Sequence, residues 1–433
     1  MADPTASDLR SRVLAMAALI TAGEMIYSLP YHLARYFRPT VREVFEFSNT
    51  DLGDIFVPYG IVAMLAYFPG GVLADRFPPR KLMAFALVST GLGGFYFMTL
   101  PEFLGTSILF GYWGLTTVLP FWCAMIRATR IWGGQTEQGR GFGFLDGGRG
   151  LLAAVAASVG VLLLGTWIGA DPTNATAEER AAAFRLLVLY YSVLTMAAGI
   201  VVWKWIPDPL PTEARAARYA RSNVKAVLGM RSVWMQATIV VCAYCGYKAL
   251  DNYSVYAYDV LGMNEISAAR YTAVFGYIRP VAAIGAGFLG DRFGIARVIA
   301  ILFGSMAASW SVLAVLDASP ELLLVVHANL LISIFGVYAL RGLYFALLEE
   351  ARVPDSLTGT AVGLISLVGY TPDIFLYPIV GRLLDATPGV GGHQHAFLLL
   401  SGIAVAGLLV TIGLHRDIAR PSSGDSAGGM ARA

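Results

Sequence analysis

From about residue 12 to residue 415 the chain repeats one rhythm: a long apolar run, a short polar break, another apolar run. Within each run the apolar positions are continuous. A membrane β-strand would alternate apolar and polar residues over about ten positions, so strands do not fit. A helix of about 20 apolar residues crosses a bilayer and satisfies its own backbone hydrogen bonds on the way. The rhythm therefore predicts helices at about 12–36, 51–76, 82–100, 105–132, 140–170 and 181–206, then at about 232–258, 267–290, 296–316, 321–350, 357–384 and 394–415. A polar connector separates the two sets. The expected layout is an all-α membrane protein with a six-helix unit at 1–206, a linker at 207–231, a second six-helix unit at 232–416 and a disordered Gly/Ser/Ala-rich tail at 417–433.

Composition strengthens the reading. Hydrophobic residues make up 57% of the 433 and charged residues 14%, against about 25% charged in a soluble domain. Lipid must act as solvent for much of the surface. The net charge of +2 decides little, but its placement does. Basic residues gather in the connector (Arg215, Arg218, Arg221, Lys225, Arg231) and in alternate loops (Arg76, Arg80 and Lys81; Arg130 and Arg140; Arg292 and Arg297; Arg352). Basic loops stay cytoplasmic, so both termini are expected there, in a bacterial inner membrane. The opposite loops are poor in bases apart from Arg35, Arg38 and Arg42, which lie beside Glu43 and Glu46. Cys242 and Cys245 form a C-x-x-C within an apolar run and read as small packing residues rather than metal ligands. No cofactor, metal or nucleic-acid partner is expected, and a monomer is. No nucleophile–base spacing points to an enzyme, and no G-x-x-x-x-G-K-[ST] offers ATP.

One charged string is written twice. "GGVLADRFPPRKL" (Gly70 to Leu82) follows the second run, and "GFLGDRFGIAR" (Gly287 to Arg297) follows the eighth. Each places Gly four residues before Asp, then Arg and Phe: Gly71, Asp75, Arg76 and Arg80 in one, Gly287, Asp291 and Arg292 in the other. The physical reading is a gate latch, with Gly allowing helices to approach and Asp accepting bonds from Arg or a helix end. These strings resemble the signature of the major facilitator superfamily, with Pro78 where the family has Gly and Gly294 keeping it. The resemblance covers essentially the whole chain. It implies two pseudo-symmetric six-helix bundles around a central cavity, which rock to expose it to alternate sides. "PFWCAMIRATRIWGGQTEQGRGFGFLDGGRG" (Pro120 to Gly150) further resembles helices four and five of the organic anion and sugar-phosphate carriers, through Arg127, Trp132 and Glu137 to Gly141. Tyr31 and Gly246 stand where sugar-phosphate carriers place bases, which argues against phosphate esters.

Charges inside the runs mark the candidate site. An ionisable group at mid-bilayer costs about 2.5–3.5 kcal/mol, so such residues face a wet cavity or a partner. Glu24 falls near the middle of the first run, Lys248 and Asp251 of the seventh, Arg279 of the eighth and Asp373 of the eleventh. Arg127, Asp146, Arg149 and Arg341 fall nearer the basic side. Lys248 and Asp251 share a helix face and could bind cargo or only neutralise each other. Asp146 and Arg149 read mainly as gate residues. The expected substrate contacts are Tyr27, Tyr31, Trp122, Arg127, Tyr244, Lys248, Arg279, Arg341 and Tyr370, with Arg favoured for planar anions. The expected proton-coupling groups are Glu24, Asp251 and Asp373. Pro372 predicts a kink in the eleventh helix. The function read from all this is secondary active transport of a small organic anion, driven by H⁺. Anion/anion exchange and drug or cation export are the alternatives.

Overall fold

The computed structural model describes residues 6–133, 138–168, 174–207, 221–344, 346–347 and 355–419. Glu137, the linker positions 208–220, Arg352 and the tail from 420 onward lie outside the described residues, as does the side chain of Asp75. Every regular element described is helical. Eight helices are long and apolar enough to cross a membrane, and Leu9–Met25 with Ser28–Tyr36 makes a ninth, bent by 46°. Phe56–Arg76, Pro79–Phe97 and Arg231–Ala249 complete the twelve-span pattern as helices of 21, 19 and 19 residues. With an even number of spans, the outer ends of the first and last helices, near residues 6 and 419, fall on one face, here the terminal face. The opposite one is the distal face.

Two large cores and a small third one, around Cys245, Leu376 and Val380, hold the described spans together. One large core is built from residues between Ala15 and Ile206, joined by Ala269, Ala273 and Tyr377; the other large core from residues between Val227 and Leu414. Each buries a tryptophan whose indole N–H finds an acceptor: Trp113 donates to the Thr90 carbonyl at 3.1 Å and Trp310 to the Tyr253 hydroxyl at 3.1 Å. Burial of a large ring with its one polar atom satisfied suits a core position. Leu65, Phe85, Leu104, Ile200, Phe288, Ile301, Leu324 and Leu409 are exposed. In water that would be an aggregation hazard, and in a bilayer it is the solvated face.

Several spans are broken where they pass the centre. In the first, the helix Ala6–Met25 gives way to a wide π turn at Ser28–His32 around Pro30, then to Leu33–Tyr36. Proline has no N–H to give, so a carbonyl is freed. The Met25 carbonyl is taken up by the Ser28 hydroxyl at 2.8 Å and by the Thr195 hydroxyl, from the sixth span, at 3.0 Å. The fourth span repeats the device at Val118–Trp122 around Pro120. The seventh breaks in a 3₁₀ turn, Leu250–Asn252. The eleventh breaks between Asp355–Gly369 and Pro372–Ala386, at the proline whose kink the sequence predicts.

The two halves are tied at the distal face. Asp385, in the eleventh span, accepts from the backbone N–H groups of Asn49 and Thr50 at 3.2 and 2.6 Å. It thereby caps the helix Asn49–Asp54 of the other half, where a negative charge meets the positive helix end. Arg382 grips Asp54 with two bonds of 2.8 and 3.0 Å. Arg180 meets Glu265 at 2.8 Å, and Asp259 takes both Arg42 (3.5 Å) and His393 (3.3 Å). Backbones touch here too: a Cβ on Gly53 would lie 2.5 Å from the Tyr377 carbonyl oxygen. The terminal face differs. Gly71 and Gly287 face open space, with nothing within 4 Å of where a Cβ would sit. Arg76, Asp291 and Arg292 are exposed. The close helix approach expected at the repeated glycines is absent in this conformation, because the halves meet at the other end. The two copies also turn differently: Gly294 has φ +90°, which Pro78 at φ −59° cannot adopt.

Candidate functional site

Between the halves lies a chamber of about 650 Å³, counting the solvent at its mouth. Spans one, two, four, five, seven, ten and eleven line it. Its wall carries four cations (Arg35, Arg149, Lys248, Arg341), two carboxylates (Glu24, Asp373) and His32, set among Tyr27, Tyr31, Tyr59, Tyr67, Trp122, Tyr244, Tyr247 and Tyr370. The breaks in the spans explain this crowding. The bend at Pro30 turns Tyr31, His32 and Arg35 inward, and the turn at Pro120 presents Trp122.

Each carboxylate is already held. Glu24 takes His32 Nε2 on Oε1 at 3.0 Å and Arg149 Nε on Oε2 at 3.2 Å, with Arg279 Nη1 4.0 Å away. Asp373 takes Lys248 Nζ at 2.7 Å and the Tyr244 hydroxyl at 3.0 Å. Asp251 is fully buried between Arg35 and the Tyr377 hydroxyl. Asp146 accepts from Arg279 Nη2 at 2.7 Å, and Arg341 Nε lies 3.8 Å from it. Several of these pairs join the halves: Arg35 to Asp251, Asp146 to Arg279 and to Arg341. Lys248 also sits 3.5 Å from the centre of the Tyr31 ring across the chamber, a cation–π contact that partial burial strengthens.

The sequence-derived candidates divide by position. Tyr27, Tyr31, Trp122, Tyr244, Lys248, Arg341, Tyr370, Glu24, Asp373 and Arg149 line the chamber. Arg279 does not; it is 3% exposed and lies behind the wall, between Asp146 and Glu24. Arg127 bonds the Ala74 carbonyl at the end of the second span. Arg80 lies over the Trp203 ring at 5.3 Å. Lys248 and Asp251 do not pair with each other, although they are three residues apart. Asp251 falls in the 3₁₀ turn, which swings it off the helix face that Lys248 shares with Tyr244.

His32, Arg35, Tyr59, Tyr67 and Tyr247 escaped the sequence reading. Arg35 in particular reads as a loop residue beside Glu43 and Glu46, yet it is 7% exposed. A signal was present: Tyr27, Tyr31 and Arg35 recur every four residues, with Pro30 among them. An aromatic wall runs across both halves, with Trp122 6.5 Å from Tyr27 and 6.2 Å from Tyr370, and Tyr67 stacked on Tyr370 at 6.1 Å.

A chamber between two helical halves, closed at one face and rich in buried charge, can bind a polar solute and withhold it from lipid. Comparison with known proteins agrees with that form. The family model described as Major Facilitator Superfamily matches residues 13–377. The inner membrane protein YqcE of Escherichia coli (strain K12) is 28% identical over 92% of this chain and 93% of its own length. The inner membrane protein YihN of the same organism is 25% identical over 95% of this chain and 97% of its own. A bacterial homologue of the human lysosomal transporter Spinster, in an inward-facing and unoccupied conformation, shares the fold. It has a TM-score of 0.71 at 14% identity, covering 95% of this chain and 99% of that one.

Proposed function

The chain belongs to the Major Facilitator Superfamily, and from that premise we propose that it is a secondary active transporter of a small organic anion, working by alternating access and driven by protons. The carrying observation is the chamber itself, with four cations against two carboxylates on its wall and aromatic faces between them. The rocking units are 1–206 and 232–416, joined by the linker 207–231. The protein resides in a bacterial inner membrane with both termini in the cytoplasm. The tied distal face then makes this conformation closed to the outside, and the string residues Gly71, Asp75, Arg76, Gly287, Asp291 and Arg292 await the opposite state. Glu24 and His32, bonded within the chamber, are the proton-carrying pair, since a carboxylate and an imidazole exchange a proton with little motion. Asp251 is held by Arg35 of the other half, and Asp373 by Lys248 and Tyr244 of its own; both remain candidates for carrying a proton when these contacts open.

A second reading keeps the cargo and changes the energy source. Because Glu24 is already engaged by Arg149, one anion could be exchanged for another without a proton. A cation exporter fits poorly with the cations on the wall. Uptake of organic anions by proteoliposomes decides among these. Accumulation that follows an imposed pH gradient, and is lost in Glu24→Gln while counterflow persists, is the expected result. Accumulation indifferent to pH but dependent on internal anion supports exchange. Transport of lipophilic cations alone overturns both.

A further inference from the structure

The ion pairs of the chamber do not balance. Glu24 is taken by Arg149, Asp373 by Lys248, Asp251 by Arg35 and Asp146 by Arg279, each pair at 3.2 Å or less. Among the described charged residues that line the chamber or bond to its wall, Arg341 is left over. Its Nε makes no hydrogen bond and lies 3.8 Å from an Asp146 oxygen that Arg279 already holds. Its guanidinium rests 4.0 Å above the centre of the Tyr247 ring. His32 Nε2 lies 3.0 Å from Glu24 Oε1 and its Nδ1 is buried without a hydrogen-bond partner; the sum counts the ring in its neutral form, with one N–H. A proton passing from Lys248 to Asp373 would not alter the sum either.

We infer that the chamber selects cargo bearing a single negative charge, docked on the Arg341 guanidinium with its body against the aromatic wall. This rests on the reading of the chamber as an organic-anion site and narrows it. The argument is one of buried charge. A cation that shares its one carboxylate with another cation is under-compensated in a low-dielectric site, and one further counter-charge relieves it. A second negative charge would meet no free cation, since Lys248, Arg149 and Arg279 could bind it only by giving up a carboxylate. A neutral solute would leave Arg341 with only the distant Asp146 oxygen that Arg279 already holds. The Tyr247 ring lies against the guanidinium at 4.0 Å, and the guanidinium's planar fork suits a planar or bidentate acceptor. Trp122, Tyr370 and Tyr67 offer flat faces to a ring.

The test uses the full chain in nanodiscs at pH 8 and two series matched in shape: glucose, glucuronate and glucose 6-phosphate; benzamide, benzoate and phthalate. Each runs from no charge through one to two negative charges. The expected result is tightest binding of the singly charged member in at least one series. Arg341→Gln should weaken that binding by about tenfold to a hundredfold, the span of a charge-assisted contact, and turn the preference toward the neutral member. Arg341→Lys keeps the sum and should keep the preference for one charge. Glu24→Gln, or Asp146→Asn, raises the sum by one and should turn the preference toward two charges. A wild-type preference for the doubly charged members overturns the inference, as does an Arg341→Gln protein that binds the singly charged member within twofold of wild type. Should Arg341→Gln fail to fold, the lysine and Glu24→Gln variants decide. If only neutral members bind, or none does, the organic-anion reading falls and this inference with it. If anions bind but two charges win, the inference alone falls.

Discussion

At the scale of single residues, the chamber shows how an ionisable side chain survives inside a membrane: a partner arrives from another span. Lys248 is 2% exposed, and its ammonium is held by Asp373 at 2.7 Å and by the Tyr31 ring. Removing one partner of a buried pair leaves the other charge uncompensated, at a cost of about 3–5 kcal/mol. Asp373→Asn should therefore lower stability by that order in denaturant titrations of the detergent-purified protein. The double variant Lys248→Met/Asp373→Leu should recover most of the loss, because neither charge then remains to be solvated. Equal losses in the single and double variants would show that the pair is not what holds this part of the wall. The partners of the central charges were not legible in the sequence. Glu24 lies 125 positions from Arg149, and Asp251 lies 216 from Arg35.

At the scale of elements, the broken spans position the site and the distal ties set the conformation. A proline inside a membrane helix is tolerated when neighbouring hydroxyls take up the freed carbonyl, as Ser28 and Thr195 do for Met25. The distal ties join the second and eleventh spans through Asp385, Arg382 and the close backbone approach at Gly53. Arg382→Ala/Asp385→Ala should shift the population toward a conformation open at that face. Spin labels at the exposed Glu102 and Glu321, one on each half, should report longer distances than in the parent. Gly53→Val should act in the same direction, because its Cβ would meet the Tyr377 carbonyl. An unchanged distance distribution in both variants would remove the latch from the mechanism. The kink at Pro372 could be read from the chain, since proline states its own backbone restriction. The break at Leu250–Asn252 could not, since no residue there forbids a helix.

At the scale of the whole molecule, one buried core is drawn mainly from residues 15–206 and the rest of the buried apolar residues from 227–414. A chain cut between residues 208 and 220, with both pieces expressed together, should reassemble and transport. Uptake below about a tenth of the intact protein's would mean that the halves need covalent linkage to fold. The sequence by itself determined the class and count of the spans, because a bilayer demands long apolar runs whose backbone is satisfied internally. It carried the resemblance in the doubled string, and it pointed to most of the charged residues on the chamber wall. Only the tertiary structure decided which charge neutralises which, that Arg279 stands behind the wall while Arg341 faces the chamber, and that His32 and Arg35 belong to the site. The reason is physical: hydropathy is a property of each segment alone, whereas a buried charge is defined by what faces it from segments distant in the chain.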